Sequence, residues 1–257
     1  MTADLLPRYY QIKQAIKKWI IDDDVGKGKK IPSENELAAR FNVSRLTVRQ
    51  ALSQLVQEGF LIRKRGDGTY VTDNERLLNS YSLEFTGFMD DLFYQISRSK
   101  TKTVDIERIE LTKSVKDKLE LANNEREIIR IKRVRFIEEN PFAHTVNYLP
   151  IHIGEKISKK ELLRKPLLQV MEEDLGVRFS EAFQTIEASF ADRELAEKLK
   201  VPPGLPILFV ERIMYDRGGK PVELVQSSYR GDLYKYIVRL KTIDGRQGSI
   251  WVHKGQY

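Results

Sequence analysis

Two arginines stand two residues apart, Arg133 and Arg135, interleaved with Ile131, Val134 and Phe136. Alternate side chains of an extended strand share a face, so the two guanidiniums are expected to point the same way. Like charges side by side repel unless an anion lies between them. A phosphate or carboxylate would satisfy both, because each guanidinium offers a planar fork of donors. The alternatives are a solvated edge or an ion pair with Glu138 or Glu211. A second group of donors lies nearer the N-terminus. On a helical wheel, Arg45, Leu46, Arg49, Gln50 and Ser53 fall opposite Val48, Ala51, Leu52 and Leu55. Such side chains can enter a DNA major groove, where Arg pairs with guanine and Gln with adenine. The Ser44 hydroxyl and the first amides of this helix suit a phosphate.

Other chemistry is missing. The sequence has no phosphate loop, no dinucleotide fingerprint and no nucleophile elbow. His144, His152 and His253 are too scattered to form a metal site. The chain has no cysteine, which excludes disulfides, thiol catalysis and zinc–cysteine sites. We therefore expect no enzyme activity, no metal and no cofactor.

The elements that must position the donors follow from the pattern. Residues 9–22 carry Ile12, Ile16, Trp19 and Ile20 on one face, with Lys13, Lys17 and Lys18 elsewhere, and predict an amphipathic helix. Ser33 followed by Glu36 forms a capping box for a short helix through Leu37, Ala38 and Phe41. Asn42-Val43 makes a turn, Ser44 caps a second helix over 45–58, and Gly59 ends it. Two short strands then flank Lys64-Arg65-Gly66-Asp67-Gly68, a hairpin with a basic, glycine-rich tip. Three helices and a basic hairpin in this order predict a winged helix-turn-helix. Of the chain's net charge of +7, residues 1–72 hold +5, from 13 Lys and Arg against 8 Asp and Glu. That excess attracts polyanions.

The segments PRYYQIKQAIKKWI, IPSENELAARFNVSRLTVRQALSQLVQEGFL and GDGTYV resemble the GntR family of regulators. The resemblance implies binding, as a dimer, to palindromic double-stranded DNA. It places Ser33, Glu34, Ser44, Arg45, Thr47, Arg49, Gln50, Gly66, Gly68 and Thr69 at DNA-facing or DNA-positioning sites. Asn35 departs from the family, which often has Arg or Gln there.

Residues 73–83 read as a linker. Beyond them a repeat appears at an offset of about 80 residues: Ile106-Glu107 recurs as Ile186-Glu187, Lys118-Leu119 as Lys198-Leu199, and Pro141 as Pro221. Each copy reads strand, helix, strand, turn, strand. Two such halves predict one antiparallel sheet flanked by helices, with a ligand cleft between them. RIKRVRF, HTVNYLP, FQTIEASFADRELAEKLKVPPGLPILFVERIMYD and PVELVQSSYRGDLYKYIV resemble the UTRA domain of the HutC branch of that family.

This second resemblance covers 84–241 and implies a chorismate-lyase-like fold, homodimerisation and a small bound effector. In relatives that sense sugar phosphates, the paired arginines and a Phe-x-x turn hold the phosphate. These map to Arg133, Arg135, Phe85, Thr86 and Gly87, with a helix start expected over 88–92; Glu223 and Tyr229 match pocket positions. Thr145 stands where many relatives have Glu, and Pro166 where sugar-phosphate sensors often have Ser. The effector expected is thus a small anion: a phosphorylated sugar, a carboxylate or an acyl metabolite.

The whole reads as an α+β chain, with a DNA-binding domain over 1–72 and an effector-binding, dimerising domain over 84–241. Residues 242–257 form an extension with a strand over 249–253 and no assigned role. The alternatives are a constitutive repressor whose C-terminal domain only dimerises, and a lyase-like enzyme. The N-terminus lacks the basic and apolar regions of a signal peptide, and no apolar run approaches the roughly 20 residues of a membrane span, so a cytoplasmic protein is expected.

Overall fold

The computed structural model describes residues 6–21, 25–73, 83–86, 100–137, 139–237, 240–245 and 248–253. Ile12, Ile16 and Ile20 recur every fourth residue, and helix α1 (Arg8–Ile21) turns them onto one buried face. They pack on helices α2 (Glu34–Phe41) and α3 (Arg45–Gln57). The capping box at α2 is complete: Ser33 Oγ accepts from the Glu36 amide, and the Glu36 carboxylate accepts from the Ser33 amide at 2.7 Å. Asn42 turns the chain in a left-handed conformation, and Ser44 caps α3. Val48, Ala51, Leu52 and Leu55 are buried, as the wheel predicts. Strands β1 (Leu61–Lys64) and β2 (Gly68–Val71) pair antiparallel as the wing. Its tip needs glycine: Gly66 has φ +76° and Gly68 φ +135°, where other residues are strained.

The C-terminal domain is built on one six-stranded antiparallel sheet, in the order β4-β5-β6-β9-β8-β7. Its strands are β4 (Lys100–Glu110), β5 (Glu127–Ile137), β6 (Asn140–Leu149), β7 (Phe179–Phe190), β8 (Pro206–Asp216) and β9 (Pro221–Arg230). Helix α4 (Lys113–Lys118) joins β4 to β5, and helix α8 (Arg193–Leu199) joins β7 to β8. The predicted duplication is therefore visible as two β-α-β-β halves. They meet at β6 and β9, where Val146 lies opposite Gln226, its equivalent 80 residues on. The connection from β6 to β7 breaks the symmetry. It carries α5 (Ile151–Gly154), α6 (Lys159–Leu162), α7 (Leu167–Gln169) and a π-helical turn (Val170–Asp174). These pack their Ile153, Leu162, Leu167 and Met171 against Ile129, Ile131 and Leu149 of the sheet.

Two details differ from the sequence reading. Phe85 and Thr86, predicted in a turn, lie in strand β3 (Leu83–Thr86), which pairs parallel with β10 (Tyr234–Ile237). That pairing supplies the backbone partners a turn would have lacked. Gly87, the predicted helix start at 88–92 and most of the linker, 74–82, lie outside the described residues. Lys13 and Lys17, read as part of a polar face, are buried. The strand expected at 249–253 is present as β12 (Gly248–His253), which pairs with β11 (Leu240–Gly245) in a hairpin of their own.

His144 of β6 is packed towards α8. Burial, then the charge of Lys198, lowers its pKa from 6.5 to about 4. Between those values the unfolded chain takes up a proton that the folded chain refuses, so stability falls as pH drops from 6.5 towards 4. A His144→Gln variant is expected to lose less melting temperature over this window than the wild type. Equal losses in a thermal-denaturation series would refute the assignment.

Candidate functional site

The exposed side of α3 is organised by one carboxylate. Glu34, in the first turn of α2, accepts from Arg45 Nε at 2.9 Å and from Arg49 Nη2 at 3.0 Å and Nε at 3.2 Å. The Arg49 hydrogen bond, with Arg45 assisting, holds this carboxyl below its usual range. Both guanidiniums are thus tethered at one edge, and both side chains stay about half exposed. Gln50 and Leu46 are also exposed on this helix. Ser44 Oγ accepts from the Thr47 amide and lies 2.8 Å from Thr47 Oγ1. Beside the helix, Arg63 of the wing donates to Ser53 at 2.9 Å. Gly66 and Gly68 are exposed, with Thr69 next to them. Of the predicted DNA-facing residues, Ser33 is a helix cap, Glu34 is an arginine holder, and the rest lie on the first turns of α3 or on the wing tip.

A cavity of about 450 Å³ opens on the other domain, between the sheet and the connection from α6 to α7. Arg133, Arg135, Thr145, Glu223 and Tyr229 all line it, so five of the eight predicted effector residues come together. Their odd numbers on β5, β6 and β9 reflect the pleat, which aims alternate side chains at one face. The sequence reading missed Asn147, Ser227 and Arg212, which also line the cavity. The period of two from Thr145 to Asn147, and from Glu223 to Ser227, was the signal available. Pro166 is in the wall, at the start of α7.

The polar groups form a chain. Arg133 Nη2 donates to Asn147 Oδ1 at 2.8 Å, and Asn147 Nδ2 donates to Glu223 Oε1 at 2.7 Å. Thr145 Oγ1 and Ser227 Oγ lie 3.1 Å apart. Arg133 Nε and Glu223 Oε2 are buried and have no hydrogen-bond partner among the described residues. Burial, then Arg135, pushes Arg133 down to about 10, with Glu223 opposing. It remains a cation at neutral pH. Burial raises Glu223, and Arg133 opposes that rise. The partner Glu211, considered for the arginines from sequence, instead holds Lys118 at 2.5 Å and Gln226 at 2.9 Å. Glu138 lies outside the described residues.

A winged helix joined to a duplicated antiparallel domain with a polar cavity defines a DNA-binding regulator. Residues 8–71 match the bacterial regulatory proteins of the gntR family, and residues 95–235 match the UTRA domain. The transcriptional repressor NagR of Bacillus subtilis is 30% identical over 232 residues, covering 90% of this chain and 94% of its own. The transcriptional regulator Rv0792c of Mycobacterium tuberculosis is 30% identical over 253 residues, covering 95% and 90%. The crystal structure of YydK from Bacillus subtilis superposes with a TM-score of 0.53 at 24% identity, covering 92% of this chain and all of that one, and supports the fold. The chain belongs to the GntR family of bacterial regulatory proteins and carries a UTRA domain: it is a DNA-binding transcription regulator. No helix among the described residues is long and apolar enough to cross a membrane.

Asn147 is the only side chain hydrogen-bonded to both Arg133 and Glu223 among the described residues. Asn147→Ala would leave two buried polar groups short of a partner, and should cost about 1–3 kcal/mol of stability. Urea unfolding measures this, and an unchanged midpoint would show that the chain of bonds carries no weight.

Proposed function

We propose that this repressor is a homodimer whose affinity for a palindromic operator is set by a small anion bound in the C-terminal cavity. The observation that carries this reading is the pair Arg133 Nε and Glu223 Oε2, both buried in the cavity wall and without a hydrogen-bond partner among the described residues. Buried polar groups without partners are rare, and a ligand that offers an acceptor to one and a donor to the other would complete both. A phosphorylated sugar, a carboxylate and an acyl metabolite each supply an acceptor for Arg133. The open edge of strand β7, with exposed Phe183 on one face and exposed Phe190 on the other, supports association of two copies by edge pairing. In the dimer, two α3 helices would enter successive major grooves. A coupling of about 1–3 kcal/mol between cavity and operator would make a useful switch.

On the operator, Arg45 and Arg49 read bases, Gln50 reads a further edge, and Ser44, Thr47, Gly66, Gly68 and Thr69 meet the backbone. Ser33 and Glu34 act by shaping this surface. With a duplex selected by the full chain from a random pool, Arg49→Ala should bind roughly ten- to a hundredfold more weakly. Undiminished affinity would remove Arg49 from the contact set.

The effector is tested by thermal shift of the full chain against phosphorylated sugars, small carboxylates and acyl metabolites. Binding to the native state raises the melting temperature with ln(1 + [L]/Kd). The expected result is a hit that Arg133→Ala abolishes while operator binding persists. Silence across the whole library would favour a C-terminal domain that only dimerises, and collapse of operator binding in the variant would make Arg133 a structural residue.

A further inference from the structure

One face of α1 packs on the reader's own core, but the opposite face carries Tyr10, Lys13, Gln14 and Lys17 towards the C-terminal domain. The turn after β9 receives it. Asp232, in that turn, accepts from Tyr10 Oη at 2.8 Å and from Gln14 Nε2 at 3.2 Å. Lys17 Nζ reaches the Asp232 carbonyl at 3.4 Å. Arg230 grips the same carboxylate through Nε at 3.0 Å and Nη2 at 2.7 Å, and donates to the Pro141 carbonyl. The Arg230 and Asp232 side chains are only 6% and 5% exposed. Tyr10 also packs against Ala191, Ala196, Leu199, Leu205 and Ile207. Burial alone would raise Asp232, but the charge of Arg230 holds it below the usual carboxylate range.

This junction is tied at both ends. On the reader side, Lys13 Nζ pairs with Glu58, the residue that ends α3, at 2.9 Å. On the other side, Arg230 directly follows Tyr229, which lines the cavity and stacks on Tyr234 at 4.2 Å between ring centroids. Gly231, between the gripping residues, donates its amide to the Pro206 carbonyl, and a Cβ there would meet that oxygen at 2.8 Å. The turn therefore has no slack against β8.

We propose that Tyr10, Arg230 and Asp232 are positioning residues that fix the winged helix on the C-terminal domain and couple its orientation to strand β9 of the cavity. The coupling rests on the proposed effector reading, whereas the latch itself does not.

Tyr10→Phe removes one hydroxyl and keeps the packing, so it tests the latch with least risk to folding; Asp232→Asn removes the charge. Both would be made in the full chain, with far-ultraviolet circular dichroism to verify the fold. Small-angle scattering reads the placement of the two domains, and anisotropy reads affinity for the duplex selected by the wild type. The expected result is a larger radius of gyration together with a change in affinity of fivefold or more, although neither residue lies on the DNA-facing side. Scattering like that of the wild type overturns the latch. Altered scattering with affinity within twofold overturns the coupling, because the latch then has no consequence at the operator.

Inorganic phosphate, as a probe of the cavity, separates this inference from the effector reading. It should raise the melting temperature of Tyr10→Phe and wild type alike, while shifting operator affinity in the wild type only. If phosphate raises neither melting temperature, the effector reading fails on that probe and the coupling falls with it, while the scattering result still decides the latch. If it shifts operator affinity equally in both proteins, Tyr10 is not part of the coupling.

Discussion

The pairing of β6 with β9 is the contact on which the C-terminal domain depends. These strands end the two halves, and their register sets Thr145 opposite Ser227 and Asn147 opposite Val225, diagonal to Glu223. A slip of one residue would turn every side chain to the other face. Were β6 to slip in this way, Thr145 and Asn147 would leave the cavity face, and His144, Val146 and Tyr148 would take their place beside Glu223 and Ser227. Because the halves are equivalent, α4 and α8 follow equivalent strands, β4 and β7. The cavity face is left to the connection between the halves, and that connection supplies the wall from Leu162 to Leu168. The site's asymmetry is thus inserted between two similar halves and not spread through them.

Two sets of buried charge sit on this frame, and they differ in kind. Removing an ion from water costs several kcal/mol, which is recovered only when its bonding capacity is filled. Around Asp232 the capacity is filled: Arg230 takes both oxygens, and Tyr10 and Gln14 add donors. Such a set holds one geometry. Around Arg133 and Glu223 it is not filled, because Asn147 satisfies one atom of each and leaves Nε and Oε2 without partners among the described residues. Low dielectric strengthens bonds that are made and penalises those that are not. The first set therefore behaves as a fastener, and the second as a place where a further molecule lowers the free energy.

The winged helix was legible in the sequence because its signals are local. Ser33 and Glu36 cap within one turn, Val48 to Leu55 repeat within one helix, and Gly66 marks a turn that needs positive φ. The duplication was legible through a few identities 80 residues apart, but the strand order was not, since pairing is non-local. Arg133 and Arg135 were legible as a pair, whereas Asn147 was passed over because its spacing from Thr145 gives the face it shares but not the partners across the sheet. Lys13 and Lys17 misled most. Lysines opposite an apolar helix face normally stay in water; here Glu58 and Asp232 approach them, and the Tyr10 and Phe60 rings cover them. A helix with two packed faces reads from sequence as a helix with one.

The cavity lining and the charged set around Asp232 are one residue apart along β9, at Tyr229 and Arg230. Successive side chains of a strand face opposite ways, so Tyr229 points into the cavity while Arg230 points to the opposite face and the carboxylate that α1 grips. No linker or loop intervenes. Close-packed interiors transmit displacement because they offer no void to absorb it. Gly231 removes the remaining freedom by pressing the turn on Pro206. Under the proposed function, a ligand that draws on Glu223, Ser227 or Tyr229 acts on the strand whose next residue anchors the reader. The pleat of a single strand then provides the shortest mechanical route between recognition of an anion and the placement of α3.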